Sequence, residues 1–276
     1  MNHDAAHGPP SDVVSDEERL RVRSRPHDLP LIRQRWERLG FLHWAVDRGA
    51  VARLLPPSLE VDTWEGAAFV GLVPFTIKGT RPPLLPPVPG LSSFHELNFR
   101  TYVHRRGRDP GVWFFSLDAA SRAAVALARL VYKLPYHEAR MSLVDGPGGV
   151  VTFRSRRAGP DPATFGCSYG PTSEQPETAR AATLPFFLLE RYLLYSWDGS
   201  RLRSARVWHR PYAIQAARVA DLKEDLTERA QLSIAGRAPM GHYCHALDVR
   251  IYPPRLVAEP SLRRARLSAQ LQAART

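Results

Sequence analysis

The side chains best placed to do chemistry in this chain fall on one short stretch, Ser93–Val103 (SFHELNFRTYV). It lies between the proline-rich run Pro82–Pro89 and the charged turn Arg105–Pro110. Its aromatic and β-branched content, with turn-like borders, predicts a strand. Successive side chains on a strand project to opposite faces, so Glu96, Asn98 and Arg100 form a row, roughly 6–7 Å apart per step, flanked by Phe94 and Tyr102. His95, Leu97, Phe99, Thr101 and Val103 make the other face. Two readings are open. Facing water, the row belongs to an ordinary half-buried strand. Facing a cavity, it offers a carboxyl for acid–base work, an amide, and a guanidinium fork suited to a carboxylate.

Other signatures of chemistry are missing. There is no GxGxxG, no GxxxxGK[ST], no GxSxG and no HExxH in the sequence. The run Gly241-His242-Tyr243-Cys244-His245 contains zinc-type ligands. On a strand, however, His242 and Cys244 share a face while His245 points away, so neither metal nor cofactor is expected.

Composition narrows the class. The 276 residues carry a net charge of +11 and 44% hydrophobic residues, which suits a globular chain with a sizeable core. Nearly all the basic residues are arginines, scattered in local groups rather than interleaved with aromatics, so specific nucleic-acid recognition is not expected. No apolar run approaches the roughly 20 residues of a membrane span, and the first residues do not form a secretory signal. Two cysteines, Cys167 and Cys244, make no disulfide framework. The expected location is the cytoplasm.

The elements that must position the Glu96 row follow in order. Residues 1–24 are polar and acidic and are expected to be a disordered tail. Residues 25–256 read as one domain, and 257–276 as a basic tail with a helix over Ser261–Ala274. Arg33–Val46 reads as a strand, and Arg48–Leu55 as a short helix capped by Asp47. Leu59–Trp64 and Ala67–Phe75 read as a hairpin across Glu65-Gly66. Val112–Asp118 is a strand pairing with the Glu96 strand. Arg122–Tyr132 is a helix, capped by Asp118 or Ser121 and ended by Pro135. Tyr136–Val144 and Val150–Arg157 form a hairpin, and Gly159–Glu177 a surface loop. Thr183 opens a helix with Pro185 in its first turn, and Phe186–Tyr195 continues it, apolar all round and therefore buried. Arg201–His209 and His242–Tyr252 are further strands, and Asp221–Leu232 is polar and unassigned. Strands joined by hairpins, not alternating with helices, argue for an α+β fold: a large, curved, mostly antiparallel mixed sheet with helices packed on it.

Six segments together carry a family resemblance: RWERLGFLHWAV, LEVDTW-G-AFVGLVPF, FHELNFRTYV, GVWFFSLDAAS, YKLPYHEARM and LERYLLY. Over about Arg33 to Tyr252 the chain resembles the YqjF-like family of uncharacterised bacterial proteins. That family is similar, more distantly, to acetoacetate decarboxylase, whose fold is a partly open barrel of mixed sheet with helices around it. The resemblance implies such a barrel here, with Glu96 at the position of the decarboxylase's barrel glutamate. The decarboxylase uses a lysine of a Pro-Lys-Lys segment as Schiff-base amine. Here Tyr136 and His137 follow Pro135, and Lys133 stands two residues before it. The expectation is therefore a cavity that binds a small acidic metabolite without lysine imine chemistry, Glu96, Asn98, Arg100, Tyr136 and His137 lining it. The alternatives are a lyase or hydrolase acting on a keto acid, with Glu96 or His137 as base and Lys133 as amine, and a basic protein that binds anionic partners through its surface. A homo-oligomer is compatible with all three.

Overall fold

The computed structural model describes residues 13–88, 92–172, 175–234 and 236–257. The expected C-terminal helix over Ser261–Ala274, and the first twelve residues of the expected N-terminal tail, lie outside the described residues.

The chain opens with a helix, α1 (Asp16–Arg23), then β1 (Ile32–Val46), a short α2 (Arg48–Ala52), β2 (Glu60–Val61), β3 (Ala68–Arg81) and β4 (Phe94–Arg105). Next come β5 (Arg108–Ala119), α3 (Arg122–Tyr132), β6 (Tyr136–Asp145), β7 (Val151–Arg157), β8 (Thr164–Pro171) and β9 (Glu177–Thr178). The last part contains α4 (Leu184–Leu189), β10 (Leu193–Trp197), β11 (Leu202–His209), β12 (Ala213–Glu224), α5 (Leu226–Arg229), β13 (Met240–Ile251) and β14 (Arg255–Leu256). The strands form one 14-stranded sheet. It is antiparallel except where β5 pairs in parallel with β6 and β10.

The pairings close two circuits that share a wall. One runs β5–β4–β3–β1–β13–β11–β10 and back to β5. The other leaves β13 through β12, β8, β7 and β6 to reach β5. Strands β1, β3 and β4 serve both, so their central stretches are covered on both faces: β3 is buried from Ala68 to Ile77, β1 from Leu39 to Trp44 and β4 from Glu96 to His104, while Arg35 of β1 and Lys78 of β3 stay exposed. Each circuit has its own core. Phe41, Phe75, Tyr102, Leu117 and Phe187 pack in the first, and Leu42, Leu72, Phe99, Phe153 and Phe165 in the second. Alternation along β1 and β4 sends odd and even side chains to different cores, as the pleat requires.

Most strands lie where the sequence puts them, and so does α3, capped by the Ser121 hydroxyl. Four expectations change. Residues 59–75 do turn at Glu65-Gly66, with φ of 49° and 82°, but only Trp64 and Ala67 bridge across the turn, and β2 pairs with β4 instead. The expected 159–177 loop contains β8. The unassigned stretch over Asp221–Leu232 contains the end of β12, bulged at Asp221 with φ of 54°, and then α5. The expected long apolar helix stops at Leu189, and Leu193–Trp197 becomes β10 beside Val112 and Trp113. A continuous apolar run has no period that separates a buried helix from a buried strand.

A fifth change concerns the tail. Residues expected to be disordered through 24 form α1, whose N-terminus is capped by the Ser15 hydroxyl, with Asp16, Glu17 and Glu18 in its first turn. Arg19 is buried and makes a two-pronged ion pair with Asp62 at 2.7 Å, while Arg191 reaches the same carboxylate at 2.6 Å. Burial alone would raise the Asp62 pKa. The two guanidinium groups outweigh it and hold it below the usual value. Polarity along the sequence suggested unpacked chain, but a charged helix is held when its one inward arginine meets a buried carboxylate.

Removing one member of a buried ion cluster leaves the others uncompensated, at a cost of about 3–5 kcal/mol. Asp62→Asn is expected to lose that much stability in urea unfolding. A chain beginning at Arg25 is expected to melt well below the full-length protein. Equal melting temperatures would show that α1 contributes nothing.

Candidate functional site

The Glu96 row faces inward. Phe94, Glu96 and Asn98 of β4 line a cavity of about 120 Å³ inside the first circuit, with Ile32, Gln34 and Trp36 of β1 on a neighbouring wall. Helix α3 covers it with Ala124, Leu127 and Ala128, and Tyr132, Leu134 and Tyr136 follow at the same end. Alanines at the helix face leave the volume open, since larger side chains there would fill it. Most of the remaining wall is hydrocarbon: Ile77, Phe114, Leu117, Leu194, Val207 and Ile251.

Into this apolar space the sequence sets one carboxyl. Glu96 is 4% exposed. The Tyr136 hydroxyl donates to its Oε2 at 3.0 Å. Burial pushes the Glu96 pKa up to about 8, with the Asp118 charge adding and the Tyr136 hydrogen bond opposing. Near neutral pH the group is therefore mostly a neutral acid, with a proton to donate. Burial also raises Tyr136 well above its ordinary value, so it remains a donor. Asn98 lines the same cavity, and its Oδ1 has no hydrogen-bond partner. The arrangement offers a proton donor and an amide at the edge of an apolar volume.

The other predicted residues are elsewhere. Arg100 is buried two residues on from Asn98, but it does not line the cavity. Its Nη2 donates to the Leu188 carbonyl at 3.3 Å, and the guanidinium lies 5.8 Å from the Phe41 ring centroid and 5.7 Å from that of Tyr102. His137 follows Tyr136 on β6 and therefore points the other way. Burial and then Arg157 and Arg129 lower its pKa to about 4. Next to it on β5, Asp118 is bound by Arg157 at 2.7 Å. Lys133 is exposed and caps α3 with a left-handed φ of 53°. None of the three lysines, Lys78, Lys133 and Lys223, lines the cavity. Among the described residues no group of three or more His, Cys, Asp or Glu side chains is arranged to hold a metal ion.

Two features escaped the sequence. The wall residues Gln34 and Thr80, joined by a 3.3 Å hydrogen bond, carry no local signal because they meet only through β1–β3 pairing. A buried pair, His43 Nε2 and the Tyr102 hydroxyl at 2.6 Å, sits beside Arg100. Tyr102 shares the face of Glu96 and was legible as such, whereas His43 was one polar residue in an apolar strand.

The raised Glu96 pKa has a sign for stability. Between about 4.5 and 8 the folded chain holds a proton that the unfolded chain has released. Stability therefore falls as pH rises through this window, by at most about 1.4 kcal/mol per unit. Asp118, raised to about 6 by burial against the pull of Arg157, acts in the same direction but is finished below the upper half of the window. Glu96→Gln is expected to flatten unfolding free energy between pH 6 and 8 and to be the more stable protein at pH 8. Parallel curves for the two proteins would show that Glu96 is ionised in the fold.

Known proteins share this architecture. The Enduracididine biosynthesis enzyme MppR complexed with pyruvate superposes with a TM-score of 0.60 at 14% identity, covering 86% of this chain and 95% of that one. The acetoacetate decarboxylase of Legionella pneumophila gives 0.58 at 14% identity, covering 94% and 99%. An acetoacetate decarboxylase-like enzyme from Sphingomonas wittichii RW1 gives 0.59 at 12% identity, covering 83% and 94%. At such identities the likeness is one of fold. In sequence, the "Uncharacterized protein YqjF" of Bacillus subtilis (strain 168) is 36% identical over 232 residues, 84% of this chain and 95% of that protein. The family model DUF2071, an uncharacterized conserved protein, matches residues 33–248. By that match and the YqjF likeness together, the chain belongs to the DUF2071, YqjF-like family, on an acetoacetate decarboxylase-like fold.

Proposed function

We propose that this chain binds a small molecule with an apolar body and a neutral polar head in the cavity between β4 and α3. The observation that carries this reading is the pairing, on one wall, of a protonated Glu96 with an amide oxygen of Asn98 that lacks a partner. A head group that both accepts and donates, such as a hydroxyl or a primary amide, satisfies both. Buried donors and acceptors left unmade are costly, so such a head is selected over bare hydrocarbon. The volume suits few atoms, since an apolar cavity of about 150 Å³ holds benzene.

The acidic ligand expected from the sequence depends on Arg100. Its guanidinium acts on His43, His209 and Tyr212, and it is not among the influences on Glu96. A carboxylate placed in the cavity would face a neutral acid and hydrocarbon, so a neutral head is favoured. The reading as a lyase through a lysine imine needs an amine at the cavity, and the wall carries none, which favours binding without imine chemistry.

Phenol and benzyl alcohol serve as probes, with toluene as the body without the head. The two alcohols are expected to raise the melting temperature at millimolar concentration, and toluene to do so less. Ala128→Leu, which fills the cavity, is expected to abolish the shift, and Asn98→Ala to weaken binding about tenfold, the scale of one lost hydrogen bond. An unchanged response in Ala128→Leu, or no response in the parent protein, would sink the proposal.

A further inference from the structure

On the outside of the same sheet, three arginines stand side by side. Arg33 of β1 is directly opposite Arg250 of β13, and on its other side directly opposite Arg81 of β3. Directly opposed residues lie on one face of a sheet, and like charges there destabilise it. No carboxylate pairs with any of the three among the described residues. Arg81 donates to the Gly79 carbonyl at 2.9 Å, Arg250 lies 5.3 Å from the Trp208 ring centroid, and Arg33 has a buried Nε without a partner. The three border a concave site of about 330 Å³, which Arg35, Lys78 and Asp248 of the next row also line.

The next row of the sheet behaves differently. There Arg35 stands opposite Lys78 and Asp248. Glu37 accepts from Arg35 at 3.1 Å and from Lys78 at 2.9 Å, and Asp248 lies 3.4 Å from Arg35. That row is neutralised by its own carboxylates. Along the strands the uncompensated charge is thus confined to one row, while across the sheet Arg25, 5.4 Å from the same Trp208 ring as Arg250, adds to it. A polymer that tracks a basic stripe would not find one here, whereas a compact anion with several oxygens would.

Guanidinium groups present planar forks of donors that match phosphate oxygens in pairs. Three forks lining one concave site can hold more than one phosphate group. We propose that the Arg33–Arg81–Arg250 row is a binding site for a small, soluble, phosphate-bearing anion of the diphosphate class. The site is separate from the Glu96 cavity, and its occupation does not depend on the reading given for that cavity. The bulge that seats Arg81 is made at Gly79, whose φ is 61°, a left-handed value that other residues adopt with strain. The local backbone is thus shaped to bring the third arginine level with the other two.

The test is calorimetric titration of the full chain with sodium pyrophosphate at fixed ionic strength. Citrate and a short single-stranded oligonucleotide are the comparisons. One-to-one binding of pyrophosphate is expected, weakened at least tenfold in Arg33→Gln and in Arg81→Gln. Arg154→Gln, an arginine of β7 on another groove, is expected to bind as the parent does. A second readout needs no ligand. If the row is a strained ligand site, Arg33→Gln without anion should melt at or above the parent temperature, because it removes the middle of three like charges. If Arg33 is structural, the same variant should melt lower. No pyrophosphate binding, binding unchanged in Arg33→Gln, equal binding of citrate or oligonucleotide at matched charge, or a lower melting temperature for unliganded Arg33→Gln would each overturn the proposal.

Discussion

Strands β1, β3 and β4 belong to two hydrogen-bonded circuits at once, and everything else in the molecule is arranged around that shared wall. A strand of an ordinary barrel has one face toward a core and one toward water or a covering helix. These three have a core on each side. Over the stretches covered on both sides, their polar side chains are withdrawn from water and look for partners inside. Thr101 reaches the Phe69 carbonyl at 2.8 Å, and Tyr102 reaches His43 at 2.6 Å. Where the chain leaves the wall, Asp62 gathers Arg19 and Arg191. That last contact ties α1, the α4–β10 corner and the β2 segment together, so a helix outside the sheet is joined to its interior by charge.

The same constraint sets the chemistry. Glu96 is protonated near neutral pH because the wall leaves it almost no water and no nearby cation, only the Tyr136 hydroxyl. Asp118 lies one strand away with an arginine on it, and burial moves it less, to about 6. Two carboxyls on adjacent strands thereby acquire different roles from their surroundings alone, one an ion-paired member of the structure and the other a neutral donor at a cavity.

The fold is that of acetoacetate decarboxylase-like enzymes, yet the cavity here has no lysine on its wall. Function lives in the side chains that a fold presents, and a shared architecture with different wall residues supports a different use. The surface has its own logic. The charge of +11 is not evenly spread, and the pairing register concentrates three arginines where the adjacent row is balanced.

The sequence by itself determined the elements whose signals are local. The strand around Glu96 was legible from its β-branched and aromatic residues. So was the alternation that puts Glu96, Asn98 and Tyr102 on one face, as was α3 with its serine cap. The motif segments determined the family and with it the barrel. Tertiary structure alone decided what depends on neighbours distant in sequence. Whether the Glu96 row meets water was undecidable from its own strand, because the answer lies in β1, α3 and β11 closing over it. Arg100 shares that row, but its guanidinium was drawn to Leu188 and two rings that no spacing could reveal. Lys133 and His137 stood near Pro135 in sequence, but a left-handed cap turned one outward and the pleat of β6 turned the other away. The acidic segment that became α1 looked like solvated tail, since a partner for Arg19 forty-three residues away exists only once the chain has folded. Local preference is written in consecutive residues, but burial, and with it every pKa and every cavity, is a property of which strands end up side by side.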